Sequence, residues 1–184
     1  AAMAAVRGWV ERHGVSVYDE GTGRGLLRGV MVRSFAETGE AMAVVVTNGS
    51  TIPAAEQLVE TLRAAVPDLK GVLQNINAEN TNVVLGPQHR VLWGSESVLA
   101  RLGELQYTVG HHSFFQVNTA QMERLYGAAT ELAGLTGTEL VVDAYCGVGT
   151  IGQFLARRAG KVIGIESVPQ SVEEARRSAA RNDI

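Results

Sequence analysis

Cysteine occurs once in the 184 residues, at Cys146. A single thiol excludes an internal disulfide framework, a four-cysteine zinc site and a four-cysteine iron–sulfur cluster within the chain. No apolar run approaches the roughly 18–20 residues of a membrane span. The Ala-rich start, Ala1 to Val6, is soon interrupted by Arg7, Glu11 and Arg12 and lacks the basic leader and longer apolar core of a signal peptide. Charge of one sign is also missing. Sixteen basic against 19 acidic residues give −3, so the chain is no polycation that would hold nucleic acid by charge alone. With 46% hydrophobic residues it is too apolar to be disordered. These absences leave a soluble, cytoplasmic, globular protein whose function must come from a site.

Two rhythms divide the chain. In the first, Leu26 to Phe35 and Ala41 to Thr47 read as strands, and Thr51-Ile52-Pro53 opens a helix with Leu58, Val59, Leu62 and Val66 on one face. Leu69 to Ile76 returns to strand, followed by short strands near Val83, at Val91-Leu92-Trp93 and from Leu105 to Val109. This predicts an α+β domain over residues 1–108. In the second, Asn118 stands as cap before a helix with the apolar stripe Met122, Leu125, Tyr126, Ala129 and Leu132. Leu140 to Val142 reads as a buried strand, Thr150 begins a helix, Lys161 to Ile165 is a second buried strand and Pro169 begins a helix to about Arg181. Strand, helix, strand, helix predicts the opening of a parallel α/β sheet over residues 109–184. Only two such units are present, so an apolar edge or face should be exposed unless another chain covers it, and any dimer would follow from that.

The stretch Leu140 to Gly152 carries the chemistry. A strand runs into a loop and the loop into a helix N-terminus, where free N–H groups meet a carboxylate or phosphate. Gly147, Gly149 and Gly152 fit G-x-G-x-x-G, and Glu166 lies 19 residues after Gly147, near the spacing of a ribose-binding acid. That spacing suits both NAD and S-adenosylmethionine. Asp143, four residues before the first Gly, favours the second, because an acid there meets a methionine ammonium but repels a pyrophosphate.

Several segments in order resemble the RNA 5-methyluridine methyltransferases, which act on uridines of ribosomal or transfer RNA. They are Asn75-Ile76-Asn77, Thr81 to Gly86, Leu92-Trp93-Gly94, Ser113-Phe114-Phe115-Gln116-Val117-Asn118, Asp143 to Thr150 and Val162 to Gln170. The resemblance covers roughly residues 26–184. It implies an α+β central domain followed by the first part of a Rossmann-like α/β S-adenosylmethionine-dependent methyltransferase domain. The activity implied is methyl transfer to uridine C5 in RNA, 23S ribosomal RNA before transfer RNA, with no membrane partner. By the same resemblance Gln116, Tyr145 and Glu166 contact the cofactor, and the local chemistry of the loop adds Asp143 and Gly147 to them. Gln116 offers a donor and an acceptor to a zwitterionic group, Tyr145 a ring, and Glu166 acceptors for both ribose hydroxyls.

Uracil C5 needs a thiolate added at C6 of a flipped-out base before it attacks a methyl group. The family's nucleophile follows an Asp-Pro-Pro motif, which is absent here, and Cys146 reads as a packing residue. The chain is therefore expected to be an inactive internal fragment of a longer enzyme. The family's amino-terminal RNA-binding barrel and the iron–sulfur cysteines of some members are not in this segment; both stay open for the full-length protein. An NAD-dependent oxidoreductase and a non-catalytic RNA-binding module are the alternatives. No metal site is expected. His111-His112 would alternate across a strand, Asn75, Asn77, Asn80 and Asn82 suit turns, and Arg157, Arg158, Arg176 and Arg177 suit helix surfaces.

Overall fold

A computed structural model describes residues 1–184, and the chain divides into two compact units, Ala1–Val98 and Leu99–Ile184. The division expected near residue 108 falls inside a strand of the second unit, because the hairpin before it packs with that unit.

The first unit opens with helix α1 (Ala2–His13), which sequence reading passed over as merely Ala-rich. Ala2, Ala5, Val6 and Trp9 bury one face at helical spacing, and Gly14 ends the helix in the left-handed conformation. Strands β1 (Leu27–Phe35), β2 (Glu40–Thr47), β3 (Leu69–Ile76) and β4 (Gln88–Gly94) form a sheet in the order β1-β2-β3-β4. β2 and β3 are parallel, which requires the crossover supplied by α2 (Ala55–Ala65). Leu58, Val59 and Leu62 of α2 join Ala41, Ala43 and Val45 of β2 and Trp9 in one apolar core.

No strand forms at Val83. The side-chain amide of Asn77 donates to the carbonyls of Val83 and Val84, at 2.7 and 3.2 Å, and removes them from any ladder. Asn75 likewise donates to Gly86 O at 2.9 Å and accepts from Gly86 N–H at 2.7 Å. Asn75 and Asn77 are thus buried clamps on a loop, while Asn80 and Asn82 are exposed on it.

In the second unit a tight turn at Gly103-Glu104 joins β5 (Ser97–Leu102) to β6 (Leu105–Gly110). α3 (Thr119–Ala133) follows, capped by Asn118, whose Oδ1 accepts from Gln121 N–H at 3.1 Å. Its buried face is narrower than expected: Met122, Tyr126 and Thr130 are buried, but Leu125 and Leu132 face solvent. β7 (Leu140–Ala144) and β8 (Lys161–Ile165) pair in parallel, with α4 (Thr150–Ala156) between them and α5 (Pro169–Arg181) after them. These strands are not buried as expected. Leu140, Val142 and Ile165 are more than half exposed, which is the apolar face anticipated for a two-stranded sheet.

One face of α5 is polar, and it serves the free edge of β6. Asn182, just past α5, accepts from Gln106 N–H and donates to Gln106 O, both at 2.9 Å. Ser178 Oγ accepts from Thr108 N–H at 2.9 Å. Four helical residues rise about 6 Å and two strand residues about 6.7 Å, so a stripe repeating every four residues keeps pace with alternate strand residues.

No helix in the chain is long and apolar enough to cross a membrane.

Candidate functional site

β7 ends at Ala144, paired with Ile165 of β8, and the chain must then turn back into α4. Tyr145, Gly147 and Gly149 take the left-handed conformation, with φ of 61, 56 and 78°. For the glycines this is free; for Tyr145 it costs about 1–2 kcal/mol. Such strain persists only where the surroundings hold it, and here they do. Cys146 N–H donates to Ile165 O at 3.0 Å and Gly149 N–H to Cys146 O at 2.8 Å. Beneath the loop Gly164 leaves room for Cys146, whose Sγ would lie 2.9 Å from a Cβ at that position. Tyr107 donates to Thr150 O at 3.1 Å, and Tyr126 and Thr150 hydroxyls meet at 3.0 Å, so the start of α4 is pinned from two elements.

Two acids close the loop. Gly147 N–H donates to Glu166 Oε2 at 3.0 Å, and Glu166 Oε1 accepts from Ser167 N–H at 2.7 Å and Val168 N–H at 2.9 Å. The backbone bonds from Val168 and Gly147 hold the Glu166 carboxyl below its ordinary range. Asp143 Oδ2 accepts from Gly152 N–H at 2.9 Å. Gly149 at the N-cap has no side chain to offer, so Asp143 fills that role for the first turn of α4. Burial nevertheless raises the Asp143 carboxyl above its ordinary value, opposed by the Gly152 bond. A Cβ at Gly152 would lie 2.8 Å from Asp143 Oδ2, so this approach depends on glycine.

Gly147 and Glu166 are therefore in direct contact, with Asp143 at the base of the same loop. Tyr145 does not fill the core; it is 94% exposed at the tip. Gln116 is exposed in the segment before α3 and shares no hydrogen bond with the loop; Asn118, not Gln116, caps α3. A cleft of about 370 Å³ beside the loop is lined by Asp143, Cys146, Gly149, Gly152 and Gly164 along with residues of α5, and not by Gln116, Tyr145 or Glu166. Cys146 is a poor thiolate. Burial first, then the charges of Asp143 and Glu166, push its thiol above the ordinary value.

His111 and His112 follow the end of β6, and their rings lie side by side with centroids 4.1 Å apart. The strand alternation expected for them does not apply. Arg157 pairs with Glu104 at 2.5 Å and Arg177 with Glu173 at 3.2 Å, both exposed, as helix-surface charges do. Sequence reading missed Glu174, which is buried and accepts from the hydroxyl of Ser113. Its signal was the polar repeat Glu174, Ser178, Asn182 at helical spacing.

No protein-family model matches the chain. It is 41% identical over 179 residues to an uncharacterized RNA methyltransferase of Clostridium acetobutylicum, covering 97% of the chain and 39% of that protein. A second uncharacterized RNA methyltransferase, from Caldanaerobacter subterraneus, is 43% identical over 182 residues, covering 99% and 40%. The chain thus spans about two fifths of the length of the curated relatives it matches. Among solved structures it is similar to the tRNA (uracil-54, C5)-methyltransferase of Pyrococcus abyssi in complex with S-adenosyl-L-homocysteine. That likeness has a TM-score of 0.81 and 28% identity, over 100% of this chain and 44% of the other. The M. jannaschii tRNA m1G37 methyltransferase shares the fold alone, with a TM-score of 0.51 and 14% identity over 97% of this chain and 46% of the other. The chain has a mixed α/β fold that matches S-adenosylmethionine-dependent methyltransferase structures.

Proposed function

We propose that the chain is an internal part of a longer S-adenosylmethionine-dependent RNA methyltransferase that modifies uridine at C5. It would hold a central α+β domain and the opening of the methyltransferase domain. The observation that carries the cofactor assignment is the donation of Gly147 and Gly152 N–H to Glu166 and Asp143. In a dinucleotide site such loop N–H groups serve the pyrophosphate. Here two of them already serve carboxylates, and a pyrophosphate would find repulsion in their place. A cationic methionine end and the donor hydroxyls of a ribose suit the same acids, so the residues fit S-adenosylmethionine and disfavour NAD.

When bound, that cofactor supplies an electrophilic methyl group on a sulfonium. Asp143 and Glu166 would face its cationic and ribose parts, Gly147 would let it approach the backbone, since a Cβ there meets nothing within 4 Å, and exposed Tyr145 and Gln116 would close on it. Cys146, its thiol raised and half-buried, is left as a packing residue, and the nucleophile and base are assigned to the remainder of the longer protein. The uridine assignment is supported by the likeness to the uracil-54 enzyme over the whole chain. Ribosomal RNA, 23S in particular, is the first substrate to test and transfer RNA the second.

Full-length protein should be incubated with unmodified ribosomal or transfer RNA and methyl-labelled S-adenosylmethionine, and the label mapped. Label at C5 of a uridine is the expected result. Saturable enhancement of NADH fluorescence, insensitive to S-adenosylhomocysteine, would replace the proposal with an oxidoreductase. RNA binding without label would replace it with a binding module.

A further inference from the structure

We propose that Glu174 is a positioning residue for cofactor binding, holding the segment that carries Gln116 in register with the helix that follows Glu166. This rests on the reading of Gln116 and Glu166 given above. Glu174 is 4% exposed and Ser113 2% exposed. A buried carboxylate is retained only where its oxygens are satisfied. Oε2 accepts from Ser113 Oγ, and Oε1 accepts from Gln170 Nε2 at 3.3 Å. Ser113 stands three residues before Gln116, and α5 begins at Pro169, three residues after Glu166. The Ser113–Glu174 bond therefore joins the two stretches of chain that would grip opposite parts of one ligand.

The rest of the geometry removes slack from that joint. A Cβ on Gly110 would overlap Glu174 Oε1, so β6 ends in a glycine that lets the carboxylate reach past it. Ser178 and Asn182, one and two steps of four along from Glu174, fasten Thr108 and Gln106 of the same strand. Asn182 Nδ2 also donates to Gln153 Oε1 at 3.0 Å, and Gln153 Nε2 to Val148 O of the glycine loop at 3.4 Å. The polar stripe thus ends at Glu174 on the Gln116 segment and at Asn182 on a link to the loop. Preorganisation of this kind removes an ordering term from binding and leaves the chemistry untouched.

The test is a double-mutant cycle on the full-length protein, with S-adenosylhomocysteine binding read by calorimetry. Gln116→Ala should weaken binding about tenfold, the equivalent of one good polar contact. Ser113→Ala and Glu174→Gln should each weaken it by a similar factor, and combining either with Gln116→Ala should add less than about twofold. Ser113→Ala leaves the helix intact, so the cycle survives if the Glu174 variant fails to fold. Methyl transfer at saturating cofactor should keep its kcat while KM for the cofactor rises. Ser113→Ala with Glu166→Ala should instead multiply, because Glu166 does not depend on the joint, whereas a general loosening of the fold would multiply with Gln116→Ala as well. If Gln116→Ala leaves affinity unchanged, the reading of Gln116 as a cofactor contact fails and the proposal goes with it. If Gln116→Ala weakens binding but Ser113→Ala does not, or the two multiply, the reading stands and the positioning role is overturned.

Discussion

Ser178→Ala tests whether α5 holds the free edge of β6 by discrete hydrogen bonds or merely by contact. Ser178 is fully buried and its Oγ is the partner of the Thr108 N–H, at 2.9 Å, on a residue itself only 6% exposed. Alanine removes the acceptor, and nothing else in that stripe reaches Thr108. A buried donor left unpaired costs about 1–3 kcal/mol. Alanine is the better helix former, which returns about 0.5 kcal/mol at most. The net expectation is a loss of about 0.5–2.5 kcal/mol in urea unfolding, with Thr108 amide exchange accelerated roughly twofold to sixtyfold. Arg177→Ala, one residue away on the exposed face, removes only the surface pair with Glu173 and should change stability by less than about 0.5 kcal/mol. A Ser178→Ala protein as stable as the parent, with Thr108 exchange unchanged, would refute the account of the strand edge.

Gly152→Ala should destabilise by about 1–3 kcal/mol through overlap with Asp143, more than the helix-propensity gain of about 1 kcal/mol, and urea unfolding would measure it. Equal stability would show that Asp143 swings aside without loss. The Cys146 thiol should be alkylated by iodoacetamide with a pH midpoint above its ordinary value of 9.0, and a midpoint at or below that value would contradict the stated effect of burial and the two acids. Cys146→Ser should leave methyl transfer by the full-length protein within a few-fold of the parent in the labelled assay. Glu139, bonded by Thr136 and the Thr136, Gly137 and Thr138 N–H groups, has its carboxyl lowered to about 2. Because the folded value lies below the unfolded one, its contribution is present above pH 4.5 and lost as pH falls towards 2. Glu139→Gln should flatten that acid limb of the unfolding curve; an unchanged limb would count against it.

Periodicity and punctuation carried much of this fold. β3 runs from Leu69 to Ile76 after the Pro67-Asp68 stop, and α5 from Pro169 to Arg181, as expected from the sequence. The parallel pairing of β7 and β8 follows from the helix between them. What was not legible depended on partners far along the chain. Leu125 and Leu132 obey helical spacing as well as Met122 does, yet nothing in this unit covers them. Val83 has strand propensity, but Asn77 takes its carbonyl. α1 was hidden by composition, although Ala2, Ala5, Val6 and Trp9 hold the helical repeat. At the site, Asp143, Gly147 and Glu166 follow from the strand–loop–helix motif. The bond between Gly147 and Glu166 required the register that sets Ala144 against Ile165 and so returns residue 166 to the loop.

That bond also limits how the proposed site can hold a ribose. A carboxylate offers about two acceptor positions on each oxygen; Glu166 Oε1 is filled by the N–H and hydroxyl of Ser167 and the N–H of Val168, and Oε2 has given one position to Gly147. One remains for a hydroxyl, whereas the residue type alone suggested room for two. A second hydroxyl enters only by displacing a backbone N–H. Ser167 and Val168 are Glu166's immediate successors and hold it as a turn, so Gly147 is the partner whose release leaves the acid's own backbone in place. Gly147 has nothing within 4 Å of the space a side chain would occupy, so an incoming group could approach its N–H without a steric clash there. Under the proposed function, ligand binding and the Gly147–Glu166 bond would then be coupled through one carboxylate. On that proposal a donor hydroxyl would compete with the Gly147 N–H for Glu166, whereas a pyrophosphate, which only accepts, would have nothing to exchange with it. Both cofactors carry a ribose, so under the proposed function selection against the dinucleotide would rest on Asp143 and Glu166 occupying the loop N–H groups that a pyrophosphate needs.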